Sequence, residues 1–96
     1  MRYIRVRVRY LTPYIRNLVG VDEEIITIEE GSSVRDVIMR VAELHGERLL
    51  DQLLRDDGRD LREGILVVVN DRVVQDVDYR VEDGDVVTFL IALDGG

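Results

Sequence analysis

The sequence predicts an α+β fold, and three observations carry the prediction. The chain opens on a strict alternation of apolar and charged residues, holds one strongly marked amphipathic helix before its midpoint, and closes on runs rich in β-branched residues. Two strands, a helix crossing them and then more strands make one mixed sheet of four to five strands with one main helix packed on one face. With 96 residues, 46% of them hydrophobic, and a single proline, the chain suffices for one core and falls short of two ordinary domains. Residues 1–96 are therefore read as one domain, with 94–96 as a flexible C-terminal tail.

In the first strand Ile4, Val6, Val8 and Tyr10 alternate with Tyr3, Arg5, Arg7 and Arg9, the period of a strand with one buried and one wet face. The stretch LTPYIRNLVGVDE carries Pro13 and Gly20 and reads as an irregular hairpin loop. EIITIEE is the second strand, antiparallel to the first. GSSVRDVIMRVAELHG is the helix. Ser33 caps its start, Asp36 favours its first turn, Gly46 ends it, and Val34, Val37, Ile38 and Val41, with Ala42 or Leu44, form its apolar stripe. ERLLDQLLR is a second, shorter helical segment, and DDGRDLREG is a polar, mobile loop. ILVVVN, RVVQ and VVTFLIAL are the remaining strands, with a turn at Asn70-Asp71 and another at Asp83-Gly84. The first and last strands are expected side by side in the middle of the sheet.

This plan leaves a question. Ile65 to Val69 are all apolar, as are Val86, Val87, Phe89, Leu90 and Ile91, although the helices cover one face only. Either both faces of these central strands are covered, or one face bears an apolar patch awaiting a partner.

Composition removes many kinds of chemistry. There is no cysteine, so disulfides, thiolate metal sites and cysteine nucleophiles are excluded. The one histidine, His45, sits at the helix end, where the dipole favours it, with Glu43 and Glu47 nearby and no catalytic constellation. Acid pairs such as Asp56-Asp57 and Asp83 with Asp85 solvate loops and do not follow calcium-loop spacing. No metal site is expected. A phosphate-binding loop of the Walker type needs a lysine, and all 13 basic residues are arginine. The formal net charge of −7 disfavours nucleic acid as a partner. The charge is uneven: residues 1–20 hold five arginines and no acid, and pairing of these arginines with carboxylates on a neighbouring strand is the expected outcome. No apolar run approaches the roughly 18 residues of a membrane span, and the alternating N-terminus does not resemble a signal peptide, so the expected location is the cytoplasm.

The remaining candidate is the C-terminus, FLIALDGG. A carboxylate repels nucleophiles and reacts only after activation, for instance as an acyl adenylate. Reaching an activating pocket requires a slender leash, and Gly95-Gly96 has no side chains and the widest range of backbone angles. Extended, Leu93 to Gly96 span about 13 Å at roughly 3.3 Å per residue.

The element order, LVVVNDRVV, VEDGDVVTF and the terminal Gly95-Gly96 resemble the ubiquitin-like β-grasp fold and, within it, the sulfur-carrier proteins: the small subunit of molybdopterin synthase (MoaD) and the thiamin sulfur carrier (ThiS). The pair Asp78-Tyr79 is similar to one in ubiquitin. The resemblance implies that Gly96 offers the carboxylate that is adenylated and converted to a thiocarboxylate. Gly95 and Asp94 would thread the tail, and Phe89, Leu90 and Leu93 would dock on partners. It implies no bound cofactor, ATP being used by an adenylating partner of the ubiquitin-activating type. The chain would be a carrier rather than an enzyme, serving molybdopterin synthesis together with the synthase large subunit. The family also includes carriers for thiamin and for tRNA thiolation and archaeal protein modifiers, and a plain β-grasp interaction module is a further alternative. Two departures bear on the choice. Ile91-Ala92-Leu93-Asp94 lacks the prolines common in molybdopterin carriers, and GERLLDQLLRDDGRDLREG is longer than thiamin carriers need. Without lysine the chain cannot form lysine-linked chains of itself, so a modifier role would give single attachments or linkage through the N-terminal amine.

Overall fold

The computed structural model describes residues 1–92. The elements follow in the order β1 (Tyr3–Tyr10), α1 (Pro13–Val19), β2 (Glu23–Glu29), α2 (Val34–His45), α3 (Glu47–Leu53), β3 (Ile65–Val69), β4 (Arg72–Val74) and β5 (Val86–Ile91). One five-stranded sheet has the order β2-β1-β5-β3-β4. β1 and β5 run parallel at its centre, and every other pairing is antiparallel. This is the mixed sheet expected, with the first and last strands adjacent.

The alternation in β1 is realised in full: Ile4, Val6, Val8 and Tyr10 are buried, while Tyr3 and the three arginines between them are exposed. Val67, Val69, Val87 and Phe89 join the same buried side, and the helices close over it with Ile15, Val34, Val37, Ile38, Val41, Leu49 and Leu53. At the start of α2 the Ser33 side chain accepts from the Asp36 amide and the Asp36 carboxylate accepts from the Ser33 amide, a complete capping box. The next orphan donors, the amides of Val34 and Arg35, reach the carbonyls of Tyr79 and Val77 at 2.9 Å each. The long connection before β5 is thereby tied to the helix start.

Two loop expectations are corrected. The first connection is not an irregular hairpin, because Pro13–Val19 forms α1. Proline suits a first helical position, and Gly20, at φ 92°, ends the helix with its amide on the Arg16 carbonyl. Ile15 anchors α1 in the core. The other correction concerns the polar loop after α3, which is pinned rather than free. Arg35 donates from Nε to the Gly58 carbonyl at 2.8 Å, Arg62 bonds Asp51 and Asp56, and Leu61 packs against the core.

Candidate functional site

The open face of the sheet answers the question about doubly apolar strands. Pleating sends Val87, Phe89 and Ile91 toward the helices and Val86, Thr88 and Leu90 to the other side. Leu90 is paired with Leu66, and Thr88 lies between Val68 and Arg9. Leu66, Val68, Val86 and Leu90 are half-buried, Thr88 is buried, and Val73 on β4 is exposed. No helix among the described residues covers this side; the result is an apolar strip along β5, β3 and β4. Arg5, Arg7 and Arg9 border it on β1, with exposed Ile25 beyond them on β2.

Two of the five arginines pair across neighbouring strands as expected, Arg7 with Glu23 at 2.9 Å and Arg9 with Glu23 at 3.6 Å, and Arg16 on α1 pairs with Asp22 at 3.3 Å. All three pairs are exposed to solvent, so each adds little stability.

The end of β5 is clamped from both flanks. The Leu11 amide donates to the Phe89 carbonyl (3.0 Å), the Ile91 amide to Thr12 Oγ1 (2.8 Å), and the Ala92 amide to the Gly64 carbonyl (2.7 Å). Thr12 stands at the start of α1, where its side chain caps no helix amide; it holds β5 instead. Gly64 has φ 87°, a conformation suited to glycine, and a Cβ there would lie 3.7 Å from the Ala92 oxygen. These bonds hold the chain in place up to Ala92. Leu93, Asp94, Gly95 and Gly96, the threading and carrier residues named above, lie outside the described residues.

The three expected docking residues therefore separate. Leu90 stands on the open face. Phe89 is corrected: it is fully buried, with its ring stacked 6.4 Å from Tyr10 at an interplanar angle of 20°, so it supports the core and offers a partner no surface. One residue of offset along a strand is enough to reverse the face. Leu93 lies beyond Ala92.

His45 has a different role from the one its position suggested. Its Nε2 lies 2.6 Å from Glu24 Oε2, which also accepts from the Tyr10 hydroxyl at 2.5 Å. Glu24 comes from β2, not from the helix, so the contact could not be read from nearby acids. Burial, and then the bond and charge of Glu24, push the Tyr10 phenol far above its ordinary pKa. The trio ties the end of α2 to the sheet. Among the described residues no group of three or more histidine, cysteine or acidic side chains is placed to hold a metal ion, and no helix is long and apolar enough to cross a membrane.

A five-stranded mixed sheet with its first and last strands parallel at its centre, helices on one face and an apolar strip on the other defines a ubiquitin-like β-grasp domain. The ThiS family model matches residues 8–96, and the chain belongs to that family of ubiquitin-like sulfur carriers. It is similar to a candidate molybdopterin converting factor, subunit 1, from Pyrococcus furiosus, at 33% identity over 94% of this chain and 99% of that one, with a TM-score of 0.75. It is also similar to the Amycolatopsis orientalis BexX/CysO complex, matched at 28% identity over 95% and 99% of the two chains with a TM-score of 0.74. Small archaeal modifier protein 1 of Haloferax volcanii shares the fold at 15% identity over 94% and 99% of the two chains, with a TM-score of 0.80. No curated protein matches the chain. Small carriers of this type are not themselves catalysts; relatives such as CysO are found in complex with another protein.

Proposed function

We propose that the chain carries sulfur on the carboxylate of Gly96 for molybdopterin synthesis. A partner of the ubiquitin-activating type would bind ATP. A Gly96 carboxylate oxygen attacks the α-phosphate, pyrophosphate leaves, and an acyl adenylate results. A sulfur nucleophile then attacks the carbonyl carbon and AMP leaves, giving the thiocarboxylate. The domain supplies no catalytic group. Its part is to dock and to present the tail, and Gly95 and Asp94 thread the partner's channel. The setting is the cytoplasm, where ATP is at hand.

The observation that carries this reading is the clamped end of β5 in a ThiS-family chain. Bonds at Phe89 and Ile91 on one flank and at Ala92 on the other fix the end of β5, so docking of the open face would determine where the carboxylate arrives. The sheet strip around Leu66, Val68 and Leu90 is apolar and desolvates readily, and the flanking arginines can orient the approach. Molybdopterin as the destination is supported by similarity to the Pyrococcus protein, and a synthase large subunit would be the second partner.

The test is intact-mass measurement after incubation with the adenylating enzyme encoded in the same organism, ATP and a sulfide donor. The expected product is heavier by the difference between sulfur and oxygen, and it should convert a molybdopterin precursor when the synthase large subunit is added. An unmodified mass with an enzyme shown to be active on another carrier would overturn the reading. A thiocarboxylate that fails with the precursor but thiolates tRNA would reassign the acceptor, and a Gly96–lysine bond on a cellular protein would identify a modifier.

A further inference from the structure

β2 stands at the edge of the sheet and pairs with β1 alone. The Tyr10 amide bonds the Asp22 carbonyl at 2.8 Å, and the Glu30 amide bonds the Arg2 carbonyl at 2.9 Å. These bonds, with the register, place the even-numbered residues of β2 toward β1. Antiparallel alternation then turns the backbone groups of Ile25, Thr27 and Glu29 outward. The Glu29 carbonyl is taken by the Ser32 amide and hydroxyl. Ile25 and Thr27 retain both outward groups, and Glu29 its amide, without a partner among the described residues.

Beside this edge, between β2 and α2, runs a groove of about 620 Å³. Tyr3, Thr27 and Met39 give it an apolar part, and Glu29, Asp36 and Glu43 give it acid. Its one cation, Arg40, is held by Glu43 at 2.9 Å. Tyr3 and Met39 are 61% and 44% exposed, a large allowance of uncovered apolar surface beside unpaired backbone.

We infer that the outer edge of β2 and the groove beside it form a second docking site, which takes an extended peptide of alternating basic and apolar residues as a sixth strand. Charge decides between occupants. The apolar centre Ile25–Ile28 is bracketed by Glu23 and Glu24 on one side and Glu29 and Glu30 on the other. A second copy added antiparallel about Ile26 would set Glu23 against Glu29 and Asp22 against Glu30, and like charges in opposition are unfavourable. A basic peptide removes that penalty while bonding the outward amides and carbonyls. The inner edge already shows this chemistry, since β1 alternates arginine with apolar residues and places Arg7 and Arg9 on Glu23. The groove lies by Tyr3 and Glu29, whereas β5 runs parallel to β1 and reaches its end beside Tyr10. A bound peptide would leave the end of β5 and the open strip around Leu90 unobstructed, so the site stands whether or not Gly96 carries sulfur.

The experiment titrates the 15N-labelled full chain with a synthetic acetylated peptide of alternating arginine and valine, and with its glutamate-for-arginine counterpart. Amide shifts at Ile25, Thr27 and Met39, with slowed hydrogen exchange at Ile25 and Thr27 under the arginine peptide only, are expected. The double substitution Glu29→Gln with Glu43→Gln, both exposed positions, should weaken binding about fivefold. Thr27→Pro removes an outward amide, which edge strands tolerate, and should abolish binding. If that variant does not fold, the glutamine pair and the exchange data decide. No shift at millimolar peptide, equal binding of the glutamate peptide, shifts centred on Leu66 and Leu90, or unslowed exchange at Ile25 and Thr27 would each overturn the proposal.

Discussion

Phe89 and Leu90 are neighbours in sequence and opposites in consequence. Phe89 is wholly buried and stacked on Tyr10, so Phe89→Ala removes a ring from a packed interior and leaves a cavity. Such truncations cost about 3–5 kcal/mol, a large share of the roughly 5–15 kcal/mol that holds a small domain together. For a chain of this size each kcal/mol moves the melting temperature by about 4–8 °C, so a fall of more than about 12 °C is expected. Leu90 is half-buried on the open face beside Leu66, and Leu90→Ser should cost roughly 1 kcal/mol. Guanidinium denaturation measures both stabilities, and initial rates of ATP–pyrophosphate exchange with the activating partner measure docking. Leu90→Ser should stay folded and lose activation at least tenfold. Phe89→Ala should lose stability first and activation only in proportion to its unfolded fraction. A Phe89→Ala midpoint within about 0.5 kcal/mol of the parent would refute the assignment of Phe89 to the core. A folded Leu90→Ser activated at the parent rate would refute the assignment of the open strip to docking.

Deleting Gly96 should abolish thiocarboxylate formation and leave the melting temperature unchanged, as checked by mass spectrometry and calorimetry; partial sulfur loading of the shortened chain would count against Gly96. Ser33→Ala removes the side-chain half of the capping box on α2 and should cost about 1 kcal/mol in denaturant unfolding. The raised pKa of Tyr10 has a defined sign: burial and Glu24 stabilise the neutral phenol, so its contribution is complete below the ordinary tyrosine value of about 10 and is lost as pH rises above it. With no lysine or cysteine in the chain, tyrosine is the only side-chain type that titrates in that window. Tyr10→Phe should therefore flatten the alkaline decline in stability between about pH 10 and 11.5, and an unchanged decline would assign it to another tyrosine. If the chain is attached to proteins, peptide mapping should find single copies or linkage through Met1, and an isopeptide bond to any internal side chain of the chain itself would contradict the composition.

The sequence by itself determined whatever depends on local spacing and on residue inventory. The alternation in β1, the Ser33–Asp36 cap and the α2 stripe are short-range patterns whose outcome the backbone geometry dictates. The absence of cysteine and lysine settles which chemistries a chain can host regardless of fold. The adjacency of the first and last strands was also legible, from an element order of two strands, a helix and then more strands. Tertiary structure alone decided the rest. In β5 every residue from Val86 to Ile91 except Thr88 is apolar, so the alternation that separates core from surface is missing, and only pairing with β1 and β3 assigns Phe89 inward and Leu90 outward. α1 is a short helix whose own propensity is too weak to announce it; Ile15 meeting the core makes it. The bond between His45 and Glu24 joins residues 21 positions apart, and the clamp on the end of β5 draws Thr12 and Gly64 from opposite parts of the chain. Contacts of that range leave no periodic trace in sequence, because they depend on how elements pack rather than on how each one forms.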